Sequence, residues 1–344
     1  MIKEWNLLRT IACLTIVFLH STSNIGLVTG FPKTEYYQLM RIILCYATPT
    51  FVVLSEIILA NRYPDKLPDH FWSKRIKWIF APYLSFAVID ALVSFHLNPN
   101  VDLSQKILNN IFLGSFEGYF VLIIFQFYVL HYFVTKYRLK MEWLIPISIL
   151  SMVFHFQILE GDIAFVKENM GIFKIPFTAW FCYFTVAYVI GRNYSKISAA
   201  LLRYKWLTAA GVIASLAIVF VFYKAGYTGI GSRRIDLLPV SLSISVAVIA
   251  WGQLVKNSKI INTISNYSFG IYLIHWQVQR YLGTYASQLF ENTFTRVMAL
   301  FILSLIISMA IIKVISMLPF GSYIVGNIKR KIPKSNRKNL MNAA

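Results

Sequence analysis

Hydrophobic and polar residues fall in long alternating blocks along this chain. Apolar runs occupy residues 7–28, 38–60, 78–97, 117–135, 143–159, 173–191, 206–224, 236–255, 261–281 and 297–320. A helix needs about 20 mostly apolar residues to cross a bilayer, so each run is a candidate span. The run at 143–159 is short, and the run at 117–135 has an apolar approach from residue 107. Short polar loops separate the runs. There is no repeat, low-complexity tract or appended water-soluble domain. The pattern predicts an all-α fold: a polytopic membrane helix bundle of about ten spans, one transmembrane body over residues 1–328 and a basic tail over 329–344. The first run is too long for a signal-peptide core and lacks a small-residue cleavage site, so it reads as a retained first helix.

Composition removes the alternatives. The chain is 57% hydrophobic and 14% charged, whereas soluble domains are about 45–50% apolar and about 25% charged. Neither a disordered chain nor one water-soluble core fits those values. The net charge of +19 would suggest nucleic acid in a soluble protein. Here the basic residues sit in loops. With the N-terminus inside, the inner segments carry 21 Lys and Arg and the outer loops carry six, with three more at outer edges. That bias predicts both termini in the cytosol and no nucleic-acid partner. Cys13, Cys45 and Cys182 lie inside apolar runs at no metal or disulfide spacing. There is no Walker motif and no Gly-rich dinucleotide loop, so ATP-driven chemistry is not encoded.

Ionisable residues inside spans are costly and mark candidate function. The first helix carries Arg9 and His20. Eleven residues of helix bring them within about 20° of one face and about 16 Å apart along the axis. Arg9 falls near the cytosolic end and His20 a little past the middle. Taken alone, Arg9 reads as a snorkelling arginine and His20 as an interhelical hydrogen-bonding residue; the in-phase pair points to a bundle interior or cavity. Glu35, in the first outer loop, is a candidate carboxylate to orient a histidine tautomer.

A second cluster, Phe71-Trp-Ser-Lys-Arg-Ile-Lys-Trp-Ile-Phe-Ala-Pro82, places Lys74, Arg75 and Lys77 at the mouth of the third span. They are either topogenic charge or a cradle for phosphates. In the ninth span Ser268, Tyr272 and His275 share a face at i, i+4 and i+7. They suit either helix packing or substrate contact. Weaker candidates are Glu56, which could pair with a base, and Asp90, Glu117 and Gln126. His131 and His155, near ends of apolar runs, read as interfacial.

Arg9-Thr-Ile-Ala-Cys-Leu-Thr-Ile-Val-Phe-Leu-His20 resembles the Arg-x10-His first helix of the membrane-bound acyltransferase-3 family. Phe51-Val-Val-Leu-Ser55, Lys74-Arg-Ile-Lys77 with Pro82, Gly118-Tyr-Phe-Val-Leu-Ile-Ile-Phe-Gln-Phe-Tyr128 and Ser268-Phe-Gly-Ile-Tyr-Leu-Ile-His275 are similar to its further motifs, in order. The likeness covers about residues 5–280. Two positions depart from the pattern: Glu56 follows Ser55 where glycine is common, and Tyr119 stands where tryptophan is common. Leu113-Gly-Ser-Phe-Glu-Gly-Tyr119 and Trp180-Phe-Cys-Tyr-Phe with Gly191-Arg-Asn-Tyr194 are most like the intercellular adhesion protein C group, tied to poly-β-1,6-N-acetylglucosamine of biofilms.

The resemblance implies a multi-pass protein of a bacterial-type plasma membrane that transfers an acyl group from cytosolic acyl-CoA, acetyl-CoA or succinyl-CoA, without a metal. The acceptor would be a hydroxyl of a cell-surface polysaccharide or its lipid-linked precursor, with a polysaccharide synthase as a partner. In that scheme Arg75, Lys74 and Lys77 hold the donor's nucleotide and Arg9 flanks its pantetheine arm. His20 serves as general base or transient acyl carrier, while His275, Tyr272 and Ser268 attend the acceptor. The rival reading is a polysaccharide exporter with an aromatic-lined path.

Overall fold

A computed structural model describes residues 2–161 and 163–328, and of Glu35 only the backbone. The basic tail at 329–344 lies outside the described residues. The chain is 81% helical, and no strand occurs among the described residues. Each predicted apolar run lies mostly on helix, with breaks at 45–46 and 174–176. The principal helices are α1 (Lys3–Thr29), α2 (Ala47–Arg62), α3 (Ala81–Leu97), α4 (Phe120–Tyr137), α5 (Met141–Glu160), α6 (Phe181–Arg192), α7 (Lys205–Lys224), α8 (Leu237–Gly252), α9 (Lys259–Leu289) and α10 (Thr293–Met317). Among the described residues, seven helical segments are long and apolar enough to cross a membrane. They comprise α1, Tyr36–Arg62, Phe71–Leu97, Leu103–Tyr137, α5, α7 and α10.

Packing sorts these helices into centre and rim. Helix α1 packs on α9, α10, α2 and α8, and α2 packs on α6 and α4. In the most apolar stretch of α1, 56% of residues are buried, and 72% in that of Tyr36–Arg62; the figure is 22% for each of α5, α7 and α10. The exposed remainder of those three helices is apolar, as at Trp143, Leu150, Leu207, Ile213, Ile306 and Val314. Such surface is stable against lipid tails, not against water. The multi-pass bundle therefore holds α1, with its polar face, at its centre. Close backbone approach helps: a Cβ on Gly191 of α6 would lie 2.5 Å from the Ile57 carbonyl oxygen of α2, so α2 and α6 meet where only hydrogen fits.

Two local devices shape the ends of the bundle. Lys74, Arg75 and Lys77 lie where a short helix at Phe71–Arg75 passes into one π turn at Ile76–Phe80 before α3. Pro82, in the first turn of α3, needs no backbone donor partner there. At the opposite end, a helix at Leu103–Leu113 is capped by Asp102, which accepts from the Gln105 amide at 2.9 Å. It stops at Gly114, whose φ of +54° is left-handed backbone that favours glycine. A Cβ there would also lie 2.6 Å from that of Tyr119. The chain then turns through Glu117–Tyr119 into α4.

Candidate active site

The polar face of α1 is turned to α9, not to lipid. Arg9 Nη1 donates to Ser265 Oγ at 3.3 Å, and Ser265 Oγ in turn donates to Asn6 Oδ1 at 3.3 Å. Three turns along the same helix, the His20 ring lies 5.0 Å from that of His275 and 5.2 Å, edge-on, from that of Trp276. The shared face predicted for Arg9 and His20 is thus real, and α9 covers it.

The carboxylate that meets His20 is Glu117. Its Oε2 lies 3.4 Å from His20 Nε2, with side-chain exposures of 28% and 16% that leave the pair reachable. Tyr272 donates its hydroxyl to the Glu117 carbonyl oxygen, which ties the 117–119 turn to α9. The Glu117 carboxylate lies close to Nε2 without a hydrogen bond to it, and the other ring nitrogen, Nδ1, is buried without a hydrogen-bond partner. In His275, Nδ1 faces the Ile271 carbonyl oxygen at 2.9 Å, so Nδ1 carries the hydrogen, and its buried Nε2 has no partner. Two imidazoles therefore stand side by side, each with a bare ring nitrogen.

The segment that leads into Glu117 is held by a polar clamp. Asp90 of α3 accepts from Arg280 at 2.9 Å, Gln277 at 3.1 Å and Asn110 at 3.0 Å, with Lys106 at 3.5 Å. Lys106 also donates to the Ser115 carbonyl oxygen at 2.7 Å. These contacts join α3, α9 and the 103–113 helix, and so fix the strap that carries Glu117. Gln126 of α4 pins the next stretch, donating to the Ile175 carbonyl and accepting from the Phe177 amide.

The Lys74–Lys77 cluster is flanked by aromatic rings. The Arg75 guanidinium lies 4.9 Å from the Phe71 ring and 5.0 Å from that of Tyr128, and the Lys77 ammonium lies 4.7 Å from Trp78 and 5.0 Å from Tyr323. Lys74 and Lys77 are exposed and Arg75 half-buried. Ion-pair partners for the three are absent among the described residues, so their charge remains available to an anion.

Not every predicted residue converges. Ser268 is buried, and its hydroxyl donates back to the Ser265 carbonyl within α9. Glu35 begins a short helix at Glu35–Leu44, and its side chain lies outside the described residues. The interfacial reading of His131 and His155 is overturned: they are 0% and 7% exposed. His131 Nδ1 meets Glu56 Oε1 at 2.8 Å and Nε2 meets the Tyr63 carbonyl oxygen at 2.9 Å, so Glu56 does have a base as partner. Lateral packing by α2 and α6, which hydropathy does not report, buries that end of α4.

The profile of an acyltransferase domain, that of the acyltransferase-3 family, matches residues 2–313. The chain belongs to the acyltransferase-3 family. A Bacillus subtilis relative named "Putative membrane-bound acyltransferase YfiQ" is 36% identical over 289 residues, 80% of each chain. Proteins named "Probable poly-beta-1,6-N-acetyl-D-glucosamine export protein" are also similar. The one from Staphylococcus aureus strain MSSA476 is 25% identical over 326 residues, 89% of this chain and 91% of its own. The Staphylococcus epidermidis protein is 26% identical over 307 residues, 83% of each. No solved structure matches the chain. This is accordingly a multi-pass bacterial membrane protein of an acyltransferase family, related to proteins named for polysaccharide export.

Proposed function

We propose that the protein is an O-acyltransferase that moves an acetyl or succinyl group from cytosolic acyl-CoA to a hydroxyl of a cell-surface polysaccharide, poly-N-acetylglucosamine or its lipid-linked precursor. The observation that carries this reading is the His20 ring beside the Glu117 carboxylate, Nε2 to Oε2 3.4 Å, with Nδ1 free of any hydrogen-bond partner. Acyl-CoA would dock its phosphates on Arg75, Lys77 and Lys74, and its arm would run inward past Arg9. His20 Nδ1 takes the acceptor hydroxyl's proton as the oxygen attacks the thioester carbonyl. Glu117 steadies the imidazolium, and the proton passes to the departing thiolate. His275 and Tyr272 would orient the acceptor, and a polysaccharide synthase would supply it.

The test is direct. Purified protein given labelled acetyl-CoA or succinyl-CoA and β-1,6-linked N-acetylglucosamine oligomers should release CoA and label the sugar. The names of the staphylococcal relatives favour a second reading, export. Glycan transport in proteoliposomes with no acyl transfer from either donor would select it.

The donor site makes its own prediction. An Arg75→Gln, Lys77→Gln double variant should bind CoA at least about tenfold more weakly, since each charge-assisted contact contributes about 1.5–3 kcal/mol. Acceptor affinity should hold. Binding to the native protein should weaken with added salt, because contacts at an open mouth are screened. Arg75→Lys should be milder, losing the fork but keeping the charge. Calorimetric titration with CoA checks this; unchanged affinity would return the cluster to topogenic charge.

A further inference from the structure

A cavity of about 370 Å³ opens on the face that the charge pattern assigns to the exterior, and Glu117 lies in its wall. Glu117 is also the residue beside His20, its Oε2 3.4 Å from Nε2, so one wall of this cavity adjoins the proposed base. Its other polar walls are unlike a neutral sugar site. Lys174 and Arg233 both line it, beside Tyr119 and Ser115. Arg233 lies 5.9 Å from the Tyr119 ring, and the Tyr119 hydroxyl shares a 2.8 Å hydrogen bond with Ser232. That platform holds the guanidinium at the rim. The neighbouring Arg234 is neutralised by Asp236, at 2.7 Å and 3.0 Å. Among the described residues, neither Arg233 nor Lys174 forms an ion pair. Glu160 lines the next cavity along with Arg233, also without pairing to it. Two half-buried cations thus share a cavity whose one lining carboxylate lies beside a histidine.

We infer that this outer cavity is an anion-recognising acceptor subsite, and that the acceptor carries a phosphate, bound by Arg233 and Lys174, next to the hydroxyl presented to His20. Two sources share that chemistry: a lipid-diphosphate-linked sugar and a free phosphorylated glycan. The acceptor role rests on the acyltransferase reading, whereas the anion site itself does not. A guanidinium backed by a ring presents its free edge as a fork for phosphate, and the lysine adds a point charge.

Binding is measured on the detergent-solubilised full chain without donor. The probes are N-acetylglucosamine 1-phosphate, its methyl glycoside, and a short-chain polyprenyl-diphosphate N-acetylglucosamine. The phosphate should bind at least tenfold more tightly than the glycoside in low salt. The difference should shrink as salt rises and vanish in an Arg233→Gln, Lys174→Gln variant that still binds CoA. Tighter binding of the lipid diphosphate than of the simple phosphate, lost in the same variant, assigns the lipid-linked source; equal binding assigns the free glycan. Equal affinity for phosphate and glycoside, or a preference that survives in the double variant, overturns the inference. Acyl transfer, assayed separately, reports on the acyltransferase reading: intact phosphate binding without transfer defeats that reading and leaves the anion site standing.

Discussion

His20→Ala should lower acyl transfer by about 10²–10⁴-fold, the range for removing a general base, while leaving the protein folded and inserted. The imidazole contributes one contact to Glu117 and ring contacts to His275 and Trp276, a small share of the α1–α9 seam. The partner residue separates the roles. Glu117→Gln keeps size and a polar group beside Nε2, but it removes the charge that stabilises the imidazolium. It should therefore reduce turnover less than His20→Ala and leave donor binding unchanged. Steady-state transfer from labelled acyl-CoA, with size-exclusion and thermal unfolding controls, decides the matter. Near-normal turnover by a folded His20→Ala protein would remove His20 as base or carrier.

What the sequence discloses follows from how far each interaction reaches along the chain. Helices are legible because the apolar run is a property of the segment itself. The face shared by Arg9 and His20 is legible because helical periodicity is local. Which carboxylate meets His20 is a tertiary fact. Glu35 is the near candidate in sequence. Glu117 lies much farther along, and it reaches His20 only because Gly114 stops one helix and the Asp90 clamp places the strap against α9. Its signal was faint: a carboxylate one residue before the Gly118–Tyr128 motif. The burial of His131 and His155 is hidden from the sequence for the same reason. Hydropathy reports that a segment avoids water, and does not report whether its end is covered by lipid headgroups or by a neighbouring helix.

The Glu56–His131 pair should show the largest effect on stability. Both side chains are 0% exposed. Glu56 stands where the family pattern commonly has glycine, so α2 carries a carboxylate into the bundle and α4 supplies the group that answers it. Both ring nitrogens of His131 face acceptors, Glu56 Oε1 and the Tyr63 carbonyl oxygen. One proton must then be shared between imidazole and carboxylate, and the pair as a unit satisfies both nitrogens. Removing one member breaks that unit where water cannot replace it. Glu56→Ala or His131→Ala should therefore cost about 3–5 kcal/mol, the usual penalty for stripping one partner from a buried pair. Glu56→Gln retains a hydrogen-bonding group and should cost less. A Glu56→Ala, His131→Ala double variant removes both polar groups and should be destabilised by less than the sum of the single changes, because the two share one interaction. Reversible unfolding in mixed micelles measures all four. Additive losses, or a Glu56→Ala variant as stable as the parent, would show that the two residues do not act as a pair. Within the pair, His131 also holds the carbonyl of Tyr63, whose ring packs edge-on to Phe71, beside Arg75. Loosening it should consequently weaken CoA binding in proportion to the stability lost, linking the buried pair of α2 and α4 to the donor mouth.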